Sequence, residues 1–373
     1  MKTRPQISRA TGKSIPERDQ IAHLRQQVGT GWPAALRLGI GDDCAILRPP
    51  PGQELLVTTD FSLETVHFRR DWHSPESVGH RCLARGFSDL AAMGAKPLAA
   101  FLSLALPHEL TLAKRGVRSW RERFFDGLLH LAEQHQVPLA GGDTAQSPTF
   151  PPPTIAPTGN TAASGHALAD IVLLGSAPRG RALRRATAKV GDLIYVTGQL
   201  GGAAAELATL TAHPKRFAKI IRADGITHNE GSEHPHLFPQ PRIAVGLALL
   251  KRRLATAAID ISDGLSTDLD HLCEESGLTA TIDATRLPIH RLAASTPDPL
   301  DYALHGGEDY ELLFTASPAT RMPRSIAGVP ITCIGAMYRA RRGQPRMQLL
   351  TVHNGRPHCE ALLPAGWEHY RAR

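Results

Sequence analysis

The sequence predicts an α/β domain followed by an α+β domain. Three observations carry that expectation. The chain has 373 residues, room for two units at about 150 residues each. Short apolar runs bounded by Gly and Pro alternate with helical repeats through both halves, as mixed layers require. No stretch approaches the ~20 uninterrupted apolar residues of a membrane helix, and no fixed-period repeat recurs.

The elements follow in order. After a basic leader that lacks the apolar core of a secretory signal, Gln20 to Val28 reads as a short helix. Cys44 to Leu47 and Leu55 to Thr59 read as strands joined by a Pro/Gly turn. Ser74 and Pro75 announce a helix, Ser as N-cap and Pro in the first turn. Its apolar face is Val78, Cys82, Leu83, Phe87 and Leu90. A strand from Pro97 to Leu106 precedes a second helix with Val117, Trp120, Phe124, Leu128 and Leu131 on one face. Val137 to Ala140 is a strand running into Gly141, Gly142 and Asp143. Ser147 to Gly165 has no periodicity and reads as a mobile surface insertion before the strand Ile171 to Leu174.

Arg179 to Arg181 marks the crossing, which divides the chain into 1–178 and 179–373. The second half alternates again. It has strand Leu193 to Thr197, a helix from Gly202, a polar loop near Asp224 to Pro239, and helix Ile243 to Arg252. Strand Ala257 to Asp260 and a helix bearing Leu265, Leu269 and Leu272 follow, then strands at Leu278 to Ile282, Tyr310 to Thr315 and Ile331 to Ile334.

Charge excludes less than it suggests. With 42 Lys plus Arg against 35 Asp plus Glu, the net charge of +7 hints at a nucleic-acid or membrane partner. A nucleic-acid binder, however, clusters its bases and interleaves aromatics. Here the bases are spread, and aromatics are only 5%. The five cysteines never form C-x-x-C, which removes a zinc or disulfide framework and suggests a reducing cytoplasm. His228, His234 and His236 fall in a Gly/Pro-rich loop and read as a solvated stretch.

The informative residues are carboxylates beside Gly, Ser or Thr at strand ends. They occur at Asp42–Asp43, Thr58–Thr59–Asp60, Ser88–Asp89, Gly142–Asp143, Asp260–Ile261–Ser262–Asp263 and Glu308–Asp309. Taken singly, each is a turn or cap residue as readily as a ligand, and Asp263 before Gly264 fits a helix cap. Together, on a chain of net charge +7, six such sites point to multivalent cations and a polyphosphate. Thr11 to Ser14 does not complete a P-loop, and Gly39 to Gly41 lacks the third glycine of a dinucleotide fingerprint.

Taken in order, GIGDDCAIL from Gly39, TTD from Thr58 with His67 downstream, FSDLAAMGA from Phe87, GGDT from Gly141, GDLIYVTG from Gly191, AIDISDGL from Ala258, HGGEDYELLF from His305 and GWEHY from Gly366 resemble the bacterial thiamine-monophosphate kinases. The resemblance implies a two-domain, PurM-like (aminoimidazole-ribonucleotide synthetase-like) fold whose first domain pairs with its copy in a homodimer. It implies ATP-dependent phosphorylation of thiamine monophosphate to thiamine diphosphate, with ATP as co-substrate, several Mg²⁺ ions as cofactor, and neither nucleic acid nor membrane as partner. By resemblance, Asp43, Thr58, Thr59, Asp60, Asp89, Asp143, Asp260 and Asp263 match magnesium ligands. Gly142, Asp143, Arg185 and Ser262 match ATP contacts, and His67, Glu308 and Trp367 match thiamine-phosphate contacts. On residue type alone, His67 is as well a strand-to-loop histidine, and Trp367 an anchor of the tail. No catalytic base is implied, because a phosphate monoester is already largely anionic at neutral pH. The chain departs from the family at Arg81 and Gly86, where relatives commonly carry Lys and Asn.

Overall fold

The structure, a computed structural model, describes residues 17–28, 34–40, 42–113, 116–150, 164–213 and 234–368. The expected leader, the 151–163 part of the insertion and the 224–233 part of the polar loop lie outside these residues, as do Gly41, His228 and Tyr370.

The first half is built on a four-stranded sheet in the order Gln53–Leu63, Leu168–Pro178, Lys96–Leu106, Leu139–Gln146. The last two strands run parallel and the other neighbours antiparallel. Period-two alternation divides the side chains. Leu102, Leu104, Leu106, Ile171 and Leu173 are buried under two helices, Pro75–Ala92 and Trp120–Gln134. On the opposite face, Leu55, Val57 and Phe61 stand 44%, 62% and 61% exposed.

The second half is an eight-stranded sheet. Its main path runs Ala257–Ile261, Glu311–Ala316, Leu193–Thr197, Val329–Arg339, Leu278–Asp283, Met347–His353, Arg356–Ala361. Every neighbour pair is antiparallel except Leu278–Asp283 with Met347–His353. Helices Gly202–Ala212, Ile243–Lys251, Leu265–Ser276 and Pro299–His305 accompany it. Ile194, Val196, Ile259, Leu269 and Leu313 make its own core.

Helix Pro75–Ala92 joins the halves. Ser74 caps it by accepting the Ser77 amide at 3.1 Å, and only Glu76, Arg85 and Asp89 escape full burial. Phe87 and Ala91 share one core with Val245, Leu249, Leu312 and Phe314 of the second half. Close approach depends on small residues. A Cβ at Gly79 would lie 1.9 Å from the Phe124 carbonyl oxygen, and one at Gly127 would lie 1.9 Å from that of Glu76. Helices Pro75–Ala92 and Trp120–Gln134 therefore interlock through reciprocal glycines.

Several expectations need correction. Thr58–Thr59–Asp60 lies inside strand Gln53–Leu63 rather than at its end, and Gly141 to Asp143 lies inside strand Leu139–Gln146. Val117 precedes its helix and is 58% exposed, because the capping box of Ser119 and Glu122 starts the helix at Trp120. The insertion begins and ends as a paired ribbon, Thr149–Phe150 with Ser164–Gly165. The hairpin Met347–His353 and Arg356–Ala361 carried no expectation. Its outer strand is exposed throughout, so no apolar alternation marks it.

Gly127→Ala forces the helices apart against backbone, so stability falls by about 1–3 kcal/mol. A denaturation midpoint equal to wild type would contradict the interlock.

Candidate functional site

Arg81, Arg85, Ser88 and Asp89 recur at helical spacing on Pro75–Ala92 and so share one face of a largely buried helix. Arg85 and Asp89 line a cavity of about 500 Å³ between the two halves. That cavity gathers eight of the expected residues: Asp60, His67, Asp89, Asp260, Ser262, Asp263, Glu308 and Trp367.

One end is acidic. Thr58 donates to Asp89 Oδ2. Ser88 Oγ donates to Asp260 Oδ2 at 2.7 Å, while Asp60 Oδ2 is buried without a hydrogen-bond partner. Burial, then the Asp89 charge, pushes Asp60 up to about 7 against the opposing pull of Arg85. Burial and Asp89 likewise push Asp260 up to about 7, and burial raises Asp89 itself. Three carboxyls this close resist simultaneous ionisation. Arg185 sits exposed on the 3₁₀ turn Arg185–Thr187, its charge felt by Asp89 and Asp260.

Asp263 is not the helix cap. Asp268, one turn inside the helix, accepts the amides of Ser262, Asp263 and Gly264, each at 3.1 Å. The loop so fixed organises its neighbours. The Ser262 carbonyl accepts the Glu308 N–H at 2.7 Å, that of Ile261 the Tyr310 N–H at 2.9 Å, and that of Asp263 the Trp367 N–H at 2.9 Å. Gly366 is required there, since a Cβ would sit 2.0 Å from the Asp263 carbonyl oxygen.

The other end carries His67, Trp72 and Trp367. Leu63 N–H donates to His67 Nδ1 at 3.0 Å, which puts the imidazole proton on Nε2. Glu308 stands beside them with a left-handed φ of 68°, an unfavourable conformation of the kind that gathers at functional sites. Its carboxylate is gripped from both halves. Arg81 Nη2 donates to Oε1 at 2.7 Å, and His236 Nδ1 lies 3.1 Å from Oε2. Although burial alone would raise it, Arg81, the His236 imidazole and Arg85 hold this carboxyl well below the usual range.

A chain of imidazoles sets that grip. His73 Nδ1 lies 3.1 Å from both the amide nitrogen and the carbonyl oxygen of Arg69, and its Nε2 shares a hydrogen bond with His236 Nε2 at 2.9 Å. His236 Nδ1 faces both Glu308 Oε2 and Arg81 Nη1, each at 3.1 Å. Burial, reinforced by Arg81, lowers both histidines and keeps them neutral. His236 is only 1% exposed, so the expectation of a solvated stretch fails for it. Its amide and that of Leu237 are held by the buried Glu206, which also pairs with His234 at 2.7 Å.

The remaining expected residues lie elsewhere. Asp43, Gly142 and Asp143 line a second cavity of about 830 Å³ at the Leu139–Gln146 edge of the first sheet. Thr59 alternates with Thr58 and Asp60 and turns to the exposed face of its strand. Arg81, Arg85, His73, His236 and Trp72 carried no expected role. The signal for the arginines was a charged pair four residues apart on an apolar helix.

The donor set fits Mg²⁺. It consists of hard carboxylate and hydroxyl oxygens, includes the unpartnered Asp60 Oδ2, and carries repulsion that a divalent cation relieves. Among the described residues, no three His, Cys, Asp or Glu side chains close into a finished cage. Mg²⁺ commonly completes its shell with water and phosphate oxygens.

A pH dependence follows. Asp60 and Asp260 have folded pKa values raised to about 7, so without metal their stabilisation is lost as pH rises through that value. Mg²⁺ competes with those protons. The rise in Tm on adding Mg²⁺ to chelator-treated protein is therefore larger at pH 8 than at pH 5.5; equal shifts at both would exclude cation binding by this trio.

Known proteins share this fold. The family described as AIR synthase related protein, N-terminal domain, matches residues 41–177, and its C-terminal counterpart matches 189–322. Thiamine-monophosphate kinase of Escherichia coli (strain K12) is 38% identical over 342 residues, covering 90% of this chain and 92% of that protein. The crystal structure of thiamine-monophosphate kinase from Stenotrophomonas maltophilia K279a superposes with a TM-score of 0.69 at 34% identity, covering 89% of this chain and 94% of that one. A structure described as AaThiL complexed with AMPPCP and TMP gives a TM-score of 0.65 at 27% identity, covering 95% and 97%. With its two AIR-synthase-like domains, the chain belongs to the thiamine-monophosphate kinase family.

Proposed function

We propose that the protein transfers the γ-phosphoryl group of ATP to the phosphate of thiamine monophosphate, releasing thiamine diphosphate and ADP. The observation that carries this is the two-ended cavity, with buried carboxylates at one end and Trp72, Trp367 and His67 at the other. A flat cationic thiazolium suits the aromatic end, and a phosphate suits the acidic end once cations neutralise it. The family relatives are named for this reaction, and one solved relative is described with AMPPCP and TMP.

The acceptor oxygen is already anionic, its second pKa being near ~6, so no side chain needs to remove a proton. The work of the chain is to position two anions and exclude water. Mg²⁺, when bound, supplies charge neutralisation and holds phosphate oxygens in line. Asp60, Asp89, Asp260 and Asp263, with Thr58, would hold it in the main cavity, and Asp43 and Asp143 in the second. Thr59 turns its side chain away and is not assigned to the metal. Gly142, Arg185 and Ser262 serve ATP. Gly142 suits a backbone approach, because its φ of 145° lies outside what L side chains adopt. Arg185 offers a permanent planar charge.

Glu308 takes a different part from that of a free counter-ion for thiazolium. Paired with Arg81 and His236, it shapes the pocket wall and holds the guanidinium in place.

The protein acts in the cytoplasm, as its five free cysteines suit, and as a homodimer of two-domain chains divided near residue 178. Leu55, Val57 and Phe61 form an apolar row on the open face of the first sheet, the kind of patch a second copy covers. Val57→Asp places a charge in that row, and its sedimentation is expected at monomer mass; an unchanged dimer would move the interface elsewhere.

Incubation with Mg²⁺, ATP and thiamine monophosphate should yield thiamine diphosphate and ADP in equal amounts. ATP binding without product would overturn the assignment. Asp89→Asn and Asp143→Asn should each lower kcat about 100-fold or more with melting unchanged. Near-normal rates in both would remove the carboxylates from catalysis.

A further inference from the structure

We propose that Arg85 grips the phosphate of the acceptor, a phosphate monoester, at the joint between the acidic and aromatic ends of the main cavity. This rests on the activity proposed above and extends it to a residue outside the expected ligand set.

The starting observation is an arginine with donors to spare. Arg85 lines the cavity, and its side chain is only 16% exposed. Its Nε lies 3.8 Å from Asp60 Oδ1 and its Nη1 lies 3.9 Å from Glu308 Oε1. Both distances are too long for a hydrogen bond, and both nitrogens are buried without a partner. An unsatisfied buried donor costs free energy, so such a group calls for an explanation.

The neighbouring arginine shows what satisfaction looks like. Arg81, one turn earlier, donates to the His67 and His236 carbonyls and to Glu308. Because Arg81 and His236 already occupy both oxygens of Glu308, that carboxylate has little left to offer Arg85. Arg85 is thus held by charge between Asp60 and Glu308 without closing on either.

Position selects the ligand. Arg85 stands between Asp60 of the acidic trio and Glu308 of the thiamine-side wall. Its charge is felt by Asp60 and Asp89, whereas that of Arg185 is felt by Asp89 and Asp260. Two guanidinium groups therefore serve the trio, one held near Glu308 and one exposed on its 3₁₀ turn, matching a reaction that brings two phosphates together. Arg185 suits the donor, and Arg85, on the aromatic side, suits the acceptor. The planar fork can bind two phosphate oxygens at once and stays charged at every working pH.

The test uses the full chain with Mg²⁺ and measures calorimetric affinities for thiamine monophosphate and for unphosphorylated thiamine. Arg85→Gln should weaken thiamine monophosphate by roughly 10- to 100-fold, the range for hydrogen bonds to a charged group. Thiamine affinity and the KM for ATP should move by less than about threefold, being contacts Arg85 does not make. Unchanged affinity for thiamine monophosphate would overturn the assignment. So would an equal loss for thiamine, which would mean Arg85 only shapes the pocket, or a loss confined to ATP. If Arg85→Gln does not fold, Arg85→Lys keeps the charge against Asp60 and Glu308 but loses the fork. Its ratio of thiamine monophosphate to thiamine affinity should then fall, and an unchanged ratio would refute the proposal. Failure of the wild-type protein to form thiamine diphosphate would sink the proposed activity and this proposal with it. Normal turnover with an unchanged ratio would sink Arg85 alone.

Discussion

The constraint on which the rest depends is a helix buried on almost every side that nevertheless carries charge. Pro75–Ala92 is packed by the first sheet, by its neighbouring helix and by the second half. No water is at hand to solvate Arg81, which is 3% exposed, so its charge has to be answered by protein. The answer comes from across the molecule, as Glu308 and the carbonyl of His236. Removing one partner of such a pair would strand the other, which makes the contact decisive for how the halves meet.

The same helix explains the two departures from the family. Arg81 is an organiser of the pocket wall, and the longer, forked side chain reaches three acceptors that a single ammonium would divide less well. Gly86 points away from the cavity. A Cβ there would meet Leu173 Cδ1 at 2.2 Å, so its role is to seat the helix on the sheet. The helical propensity that glycine forfeits, about 1 kcal/mol, is offset by that close packing.

Much of this was legible in the sequence, and the rest was hidden for definable reasons. Ser74–Pro75 announced its helix, and Leu193–Thr197 its strand, because capping chemistry and apolar runs are local. The carboxylate motifs announced a gathered acidic site because so many acids on a basic chain need a purpose, and five of those carboxylates line one cavity. His73 and His236 could not be paired by any sequence rule, being 163 residues apart and joined only by the fold. Asp268 looked like an ordinary helical acid, yet it ties three amides of the loop before it. The division of the expected ligands between two cavities was equally invisible, since strand alternation fixes faces but not distances.

The imidazole chain spans both halves, and that has a thermodynamic consequence. From Arg69 through His73 and His236 to Glu308 the polar contacts are continuous, and the chain crosses from the first half to the second midway. Orienting Glu308 and bringing the halves together are therefore one event rather than two. Anything that prefers the finished pocket must also prefer the closed arrangement, by linkage. The free energy of filling the cavity is then shared with the contact between halves, and neither can be tuned without the other.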